Sequence, residues 1–350
     1  MKKKIGLIGV GNRPLPNDLK NSNWHGWVKN LLHSKKIEIT CACDPNPFQL
    51  RRIKNVKYLF KINTYLSARE MVKKNKLDAV VICSPAKYHL NDILLCLSKN
   101  IKILVEKPCV VNMREAKKVI ETKKSHLINV VQNWRYKDNS LVIKNVIRKK
   151  KIGSIGQIFF RYLRNREKLN YSKYIYEEKF PTLYAMGSHH IDLFRFILND
   201  NIKSVETFSY KPKWSKYKYD SSQIILLRTL KDTVISYNTT FSSKNENLPQ
   251  ESLIIEGESG YIYNESDWFE PPVYMFKKKK INLTKEKTKK LWDIKSQNNL
   301  SDMRITNNFI KFINNKKHDN TTFKDAIKTI AVIEAIVKSI KLKKRITLNQ

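Results

Sequence analysis

The sequence predicts an α/β Rossmann domain with a parallel sheet, followed by an α+β domain with an open, mostly antiparallel sheet. Three observations carry this expectation. Short apolar runs alternate with helical patterns from Lys4 to about residue 131, as in a parallel sheet covered on both faces. The first run ends in Gly9-Val10-Gly11, where a dinucleotide-binding turn needs glycine. Beyond residue 132 successive strands succeed one another through short turns, which fits antiparallel pairing. The expected domains are 1–131 for NAD(P) binding and 132–350 for substrate binding and oligomerisation.

In chain order, Lys4–Val10 reads as a strand and Trp27–Leu32 as a helix. Ile37–Cys43 is a second strand, stopped by Asp44-Pro45-Asn46-Pro47. Leu66–Lys74 is helical, and Ala79–Cys83 is a strand stopped by Ser84-Pro85. Asn91–Lys99 is helical, Ile101–Val105 is a strand stopped by Glu106-Lys107-Pro108, Met113–Lys123 is helical and Leu127–Val131 is a strand. The second part opens with a helix over Leu141–Lys150 and a strand over Gly156–Leu163. A helix over His189–Leu198 precedes strands at Ser204–Tyr210, Gln223–Thr229, Thr233–Phe241, Leu253–Glu256 and Tyr261–Asn264. Val273–Asn298 is basic and irregular, and two helices close the chain near Asp302–Asn314 and Phe323–Leu342.

The 350 residues are 41% hydrophobic and 10% aromatic, a globular composition. No apolar run approaches the roughly 20 residues that span a bilayer. Met1-Lys-Lys-Lys-Ile-Gly has the basic start of a signal peptide, but its apolar stretch is short and glycine-rich. The expected location is the cytoplasm. The formal charge of +37 suits a nucleic-acid binder. Yet the basic residues are mostly lysines scattered through both halves, and no nucleic-acid motif accompanies them, so a compositional origin is preferred. Cys41, Cys43, Cys83, Cys96 and Cys109 lack metal-ligand spacing and read as reduced, buried thiols, and no metal is expected.

A Rossmann turn bends on one glycine and approaches pyrophosphate on another, and Gly9 and Gly11 take those places. Pro14 stands where the third glycine is expected. Asn12 and Arg13 continue the turn as cofactor contacts. Asp44, at the end of the second strand, would hold the adenosine ribose hydroxyls and repel a 2′-phosphate. It therefore favours NAD, while a turn-capping role before Pro45 stays open and Arg51 and Arg52 keep NADP open. The Asn12–Trp24 stretch accounts for the long spacing between Gly11 and Asp44. Glu106-Lys107-Pro108 comes directly after a strand and so falls at the carboxyl edge of the sheet, where open α/β folds bind ligands. A lysine there, partly desolvated beside a cationic ring, can exchange a proton with a substrate hydroxyl.

With these pieces in place the chain resembles the Gfo/Idh/MocA family of glucose–fructose oxidoreductases and inositol dehydrogenases over nearly its whole length. The matching stretches are Gly6-Leu-Ile-Gly-Val-Gly11, Asp44, Ile82-Cys-Ser-Pro-Ala-Lys-Tyr-His89, Val105-Glu-Lys-Pro108, Asn133-Trp-Arg-Tyr136 and Gly187-Ser-His-His-Ile-Asp192. The resemblance implies hydride transfer between nicotinamide and a hydroxyl-bearing carbon of a sugar, nucleotide-sugar or cyclitol. It implies Lys107 near cofactor and substrate, with His189 from the second domain facing them as catalytic partners. Ser84, Pro85, His89 and Glu106 are expected at the cofactor, and Arg135, Tyr184 and His190 at the substrate. Asp192 matches the motif with a structural role. The family often carries an acid four residues before the histidine, where this chain has Ala185. That departure keeps a regulatory, NAD-binding relative as the alternative. Trp24, Trp27 and Trp134 are candidates for stacking on a sugar face, with core packing as the competing role. A free sheet face is expected to be covered in a homodimer or homotetramer.

Overall fold

The computed structural model describes residues 2–15, 26–56, 58–167, 176–245, 249–266, 272–284 and 294–348. The chain forms two compact units, Met1–Tyr136 with Lys295–Ile330, and Lys137–Ile294 with Ala331–Gln350. The chain returns to the first unit after residue 294, beyond the boundary expected after residue 131.

The first unit begins with β1 (Lys3–Ile8), α1 (Trp27–Leu32), β2 (Ile37–Cys43), α2 (Pro47–Lys54), β3 (Asn63–Tyr65) and α3 (Ala68–Lys74). It continues with β4 (Ala79–Ile82), α4 (Ala86–Ser98), β5 (Lys102–Val105), α5 (Met113–Glu121) and β6 (Ile128–Val130). The second unit holds α6 (Asp138–Arg148), β7 (Ile155–Leu163), α7 (Ser188–Leu198), β8 (Ile202–Tyr210), β9 (Ser222–Thr229) and β10 (Val234–Thr240). Next come β11 (Glu251–Gly257), β12 (Gly260–Ser266), β13 (Tyr274–Lys277) and β14 (Lys279–Asn282). The last elements are α8 (Ile294–Ile313), β15 (Thr321–Thr322), α9 (Phe323–Leu342) and β16 (Ile346–Thr347).

The first sheet has the order β15-β6-β5-β4-β1-β2-β3. Its strands run parallel except for β15, which pairs antiparallel with β6. The order reverses between β4 and β2 around β1, the place where doubly wound sheets open a crevice at their carboxyl ends. Two apolar layers cover the sheet. One sets Ile5, Leu7 and Trp27 against Phe309 and Ile313 of α8, and the other sets Ile8, Val80 and Ile103 against Phe323 and Ile327 of α9. Lys102 caps the end of α8 by donating to the carbonyls of Phe312 and Ile313 at 2.8 and 3.1 Å, satisfying acceptors that a helix leaves open.

The second sheet has nine strands in the order β14-β13-β12-β11-β7-β10-β9-β8-β16. It is antiparallel apart from the β10–β7 pair, so the expected mostly antiparallel sheet is present. Alternation sets its faces. Ile158, Phe160, Ile225, Leu227, Ile235 and Tyr237 are buried, and Phe194 of α7 packs edge-on against Phe160 and Tyr237 at 5.4 and 5.7 Å. Phe159, Ile224 and Leu226 point outward and are exposed.

Several elements depart from the reading of the sequence, among them β3, β15 and β16, which it did not give, and α8, which begins at Ile294 rather than near Asp302. Asn46-Pro47, taken as a turn, opens α2: Asn46 caps the helix by accepting from the Phe48 N–H, and Pro47 sits in its first turn. The helix read as Asn91–Lys99 starts earlier, at Ala86. The basic stretch after Val273 contains the β13–β14 hairpin, with Lys280 lying over the Tyr274 ring at 4.1 Å. Among the described residues, no helix is long and apolar enough to cross a membrane.

Candidate active site

The turn after β1 is built for close backbone approach. Gly9 has φ +80, and a Cβ there would lie 2.5 Å from the Ser84 nitrogen and 2.8 Å from the Cys83 carbonyl carbon. Only glycine fits, because the obstacle is backbone and the φ is left-handed. The Gly9 N–H donates to the Cys43 carbonyl at 2.9 Å, joining the turn to the end of β2. Gly11 has the opposite surroundings: a Cβ there would meet nothing within 4 Å. Its backbone lies open, as a pyrophosphate cradle requires. Asn12 beside it is exposed.

Asp44 comes directly after β2. Its Oδ2 accepts from the Val10 N–H and its Oδ1 from the Asn46 N–H, both at 2.9 Å. Each oxygen keeps a second lone pair for a ribose hydroxyl. The turn-capping role and the ribose role are thus compatible, and the carboxylate is anchored to the glycine turn itself. Arg52 is buried and donates to the Leu15 carbonyl at 2.8 Å, which removes it as the leading 2′-phosphate ligand. Arg51 stays exposed.

Ser84 and Pro85 lead into α4. Ser84 Oγ donates to Asp92 at 2.7 Å. Burial pushes the Asp92 carboxyl up, against the Ser84 hydrogen bond and His89. His89 is buried, and its two ring nitrogens face the carbonyls of Pro108 and Ser84 at 2.8 and 2.7 Å. It ties the end of β4 to the Glu106-Lys107-Pro108 segment from within the protein, so it supports the cofactor edge from behind.

Glu106 and Arg13 differ from expectation. Both side chains are held by internal partners. Glu106 Oε1 accepts from Arg13 Nε at 2.6 Å and from Trp27 Nε1 at 2.9 Å, and its Oε2 accepts from the Lys107 N–H at 3.2 Å. Arg13 Nη1 and Nη2 grip Asp302 of α8 at 2.7 and 2.9 Å, and the guanidinium lies over the Trp27 ring at 4.8 Å. All three guanidinium nitrogens are engaged inside the first unit, so Arg13 anchors the glycine turn to α8 and to Glu106. Burial alone would raise the Glu106 carboxyl, but Arg13, the Trp27 N–H and Lys107 together hold it below the usual carboxylate range. Lys107 itself is half-buried.

The residues expected at the substrate have the following surroundings. Trp27 and Trp134 are buried core residues, and Trp24 lies outside the described residues. Arg135 pairs with Asp325 at 2.6 Å in the first unit. In the second unit His190 is fully buried among Phe160, Tyr162 and Tyr237, with Nδ1 2.6 Å from the Tyr237 hydroxyl. It packs in the core of the second unit. Asp192 is buried, with Arg195 Nη1 at 3.7 Å. His189, 8% exposed, sits in the first turn of α7. Tyr184 lies on a π-helical turn, Leu183–Gly187, that leads into α7; such turns recur at functional sites. The Tyr184 phenol is pushed up by burial and then by Glu178 and Glu334, so two carboxylates stand near the place where Ala185 leaves none.

Asp302 is the residue that sequence reasoning missed. It lies in a helix pattern 289 positions from Arg13, and only the return of α8 to the first sheet brings it to the glycine turn. All five thiols are free; four are buried, as read from the sequence, while Cys83 is half-buried, and burial pushes Cys41 up to about 11.

A doubly wound sheet with a glycine turn at its reversal point, an anchored aspartate after β2 and a Glu-Lys-Pro segment after β5 defines a nicotinamide-dinucleotide-binding protein. Profile comparison gives the family. Residues 3–132 match the "Oxidoreductase family, NAD-binding Rossmann fold" and residues 144–348 the "Oxidoreductase family, C-terminal alpha/beta domain" of the Gfo/Idh/MocA group. The chain belongs to the Gfo/Idh/MocA oxidoreductase family. It is 24% identical to an inositol 2-dehydrogenase of Salmonella typhimurium over 249 residues, 70% of this chain and 66% of that protein. It is 24% identical to a glycosyl hydrolase family 109 protein of Shewanella woodyi over 161 residues, 43% of this chain and 32% of that protein. The alignments thus span from a third to just under two thirds of these relatives. An oxidoreductase from Agrobacterium radiobacter, crystallised with NAD+, L-tartaric acid and magnesium, has the same fold: TM-score 0.82, 19% identity, 99% of this chain and 98% of that one.

Proposed function

We propose that this protein transfers a hydride between NAD and a hydroxyl-bearing carbon of a sugar, nucleotide-sugar or cyclitol. The observation that carries the reading is the cradle of Gly9, Gly11 and Asp44, with Lys107 at the end of the next-but-one strand of the same sheet. Bound NAD supplies the hydride acceptor. The residues present suit it: an open backbone at Gly11 for the pyrophosphate and Asp44 for the ribose. Lys107 takes the proton from the substrate hydroxyl, and His189 is the second residue proposed to act in catalysis. Gly9, Gly11, Asn12, Asp44, Ser84 and Pro85 line the cofactor. The inositol dehydrogenase and the tartrate-bound oxidoreductase among the similar proteins support a polyhydroxylated substrate.

Cofactor titration tests the first half of this reading. NAD+ is expected to bind more tightly than NADP+, because the Asp44 carboxylate repels a 2′-phosphate. Asp44→Ser is expected to narrow the gap by about tenfold, the loss of one unfavourable charge contact. A native preference for NADP+ would instead point to Arg51.

The exposed face of the nine-stranded sheet belongs to the same proposal. Phe208 pairs with Ile224 across β8 and β9, and Leu226 and, beyond Ser236, Phe159 lie exposed on the same face. A patch of this kind on a sheet face marks a protein interface, and a second copy of the chain is its proposed occupant. Sedimentation of the 41.3 kDa chain is expected to give a dimer or tetramer, and Leu226→Glu a monomer. A monomeric native protein would remove the interface.

A further inference from the structure

We propose that Asp302 is a positioning residue for Lys107, acting through Arg13 and Glu106. The proposal rests on the dehydrogenase reading above, in which Lys107 exchanges the substrate proton. Three observations carry it. First, the connection is continuous: Asp302 holds Arg13 through both Nη atoms, Arg13 Nε holds Glu106 Oε1, and Glu106 Oε2 accepts from the Lys107 N–H. A fork-to-carboxylate pair of this kind fixes geometry as well as charge. Second, the carboxylates are sheltered, with side-chain exposures of 2% for Asp302 and 12% for Glu106. Third, the charges do not balance. One guanidinium meets two carboxylates, which leaves one negative charge in excess. Lys107 adds to the forces that hold Glu106 low, and counting its ammonium the group carries two positive and two negative charges.

The consequence is electrostatic. With Asp302 in place, loss of the Lys107 proton leaves an uncompensated carboxylate in a sheltered place, and the lysine holds its proton to higher pH. Asp302 thereby sets the pH at which Lys107 becomes a base, without touching the reacting atoms. Trp27 adds rigidity: its N–H donates to Glu106 while its ring lies under Arg13. Among the described residues, the charged and titratable groups that act on Glu106 and Cys83 include Arg13, Asp302 and Lys107.

Cys83 provides a readout independent of turnover. Its thiol is pushed well above the usual range by burial and then by Glu106, with Arg13 opposing and Asp302 adding. In the full-length protein without added cofactor, iodoacetamide labelling of Cys83 is monitored by mass spectrometry at fixed pH, alongside the pH profile of kcat. A charge about 10 Å away at an effective dielectric of about 20 moves a titration by roughly one pH unit. Asp302→Asn is expected to speed Cys83 labelling about tenfold and to move the acid limb of kcat about one unit lower. Arg13→Gln is expected to move both the opposite way, and Asp302→Glu to restore the native profile. Opposite shifts cannot come from a shared loss of stability. Loss of melting temperature in both variants with no shift in either readout, or shifts of the same sign, would overturn the proposal. The labelling shifts without nicotinamide-dependent turnover would uphold the charge network and overturn the dehydrogenase reading on which its role rests.

Discussion

Lys107→Ala is expected to lower turnover by about 100-fold or more, the scale of a lost general acid or base, while NAD affinity changes by a factor of a few. A hydroxyl carbon gives up hydride readily only if the hydroxyl proton leaves as well, so a base has to lie within hydrogen-bond reach. Lys107 is half-buried at the end of β5, and its backbone N–H is tied to Glu106 at 3.2 Å. The side chain is therefore carried on a fixed support rather than a loose loop. His189 is expected to matter less, because Ala185 gives it no carboxylate at the position four residues before. Steady-state rates, with cofactor binding measured separately by titration, check this. Near-normal turnover in Lys107→Ala would mean that another group is the base.

Gly9→Ala is expected to damage both the stability of the first unit and its cofactor binding. The new Cβ would sit 2.5 Å from the Ser84 nitrogen and 2.8 Å from Ser84 Cα, at φ +80. Neither obstacle is a side chain that can swing aside. A left-handed φ in a non-glycine residue and an overpacked contact cost about 1–3 kcal/mol each. The melting temperature is expected to fall by about 10 °C and NAD binding to be lost, since the turn and Ser84 can separate only by opening the β1–β4 edge. Calorimetry and cofactor titration measure both. Gly11→Ala is the control: its Cβ meets nothing within 4 Å, so stability should hold while cofactor binding weakens. Equal destabilisation by the two would refute this reading of the turn.

Much of the first unit was legible because its signals are local. Gly9 and Gly11 close an apolar run, Asp44 closes the next strand, and Trp27–Leu32, Ile37–Cys43 and Phe323–Leu342 fold with the bounds their patterns predict. What escaped depends on contacts between distant residues. Asp302 reads as an ordinary polar position in a helix until α8 lies against the first sheet, and only then does Arg13 become an anchor. His189 and His190 look alike in sequence, yet one side of α7 meets Phe160, Tyr162 and Tyr237 and so buries His190. The tryptophans are ambiguous for the same reason, since an indole suits a sugar face and a core equally. Asn46-Pro47 serves a turn or a helix start with equal ease, and burial decides for α2, because Leu50 and Ile53 find a place in the core.

Hydride transfer itself is tested most directly with a polyol deuterated at its hydroxyl-bearing carbon. A panel of cyclitols, sugar acids and nucleotide-sugars would be incubated with the native protein and NAD+, and the reduced cofactor isolated and measured by mass spectrometry. At least one substrate class is expected to pass its deuterium to the nicotinamide ring, with the transfer about 100-fold slower in Lys107→Ala. NAD+ bound tightly, with no deuterium moved from any member of the panel, would contradict the dehydrogenase reading and favour an NAD-binding protein that regulates a partner.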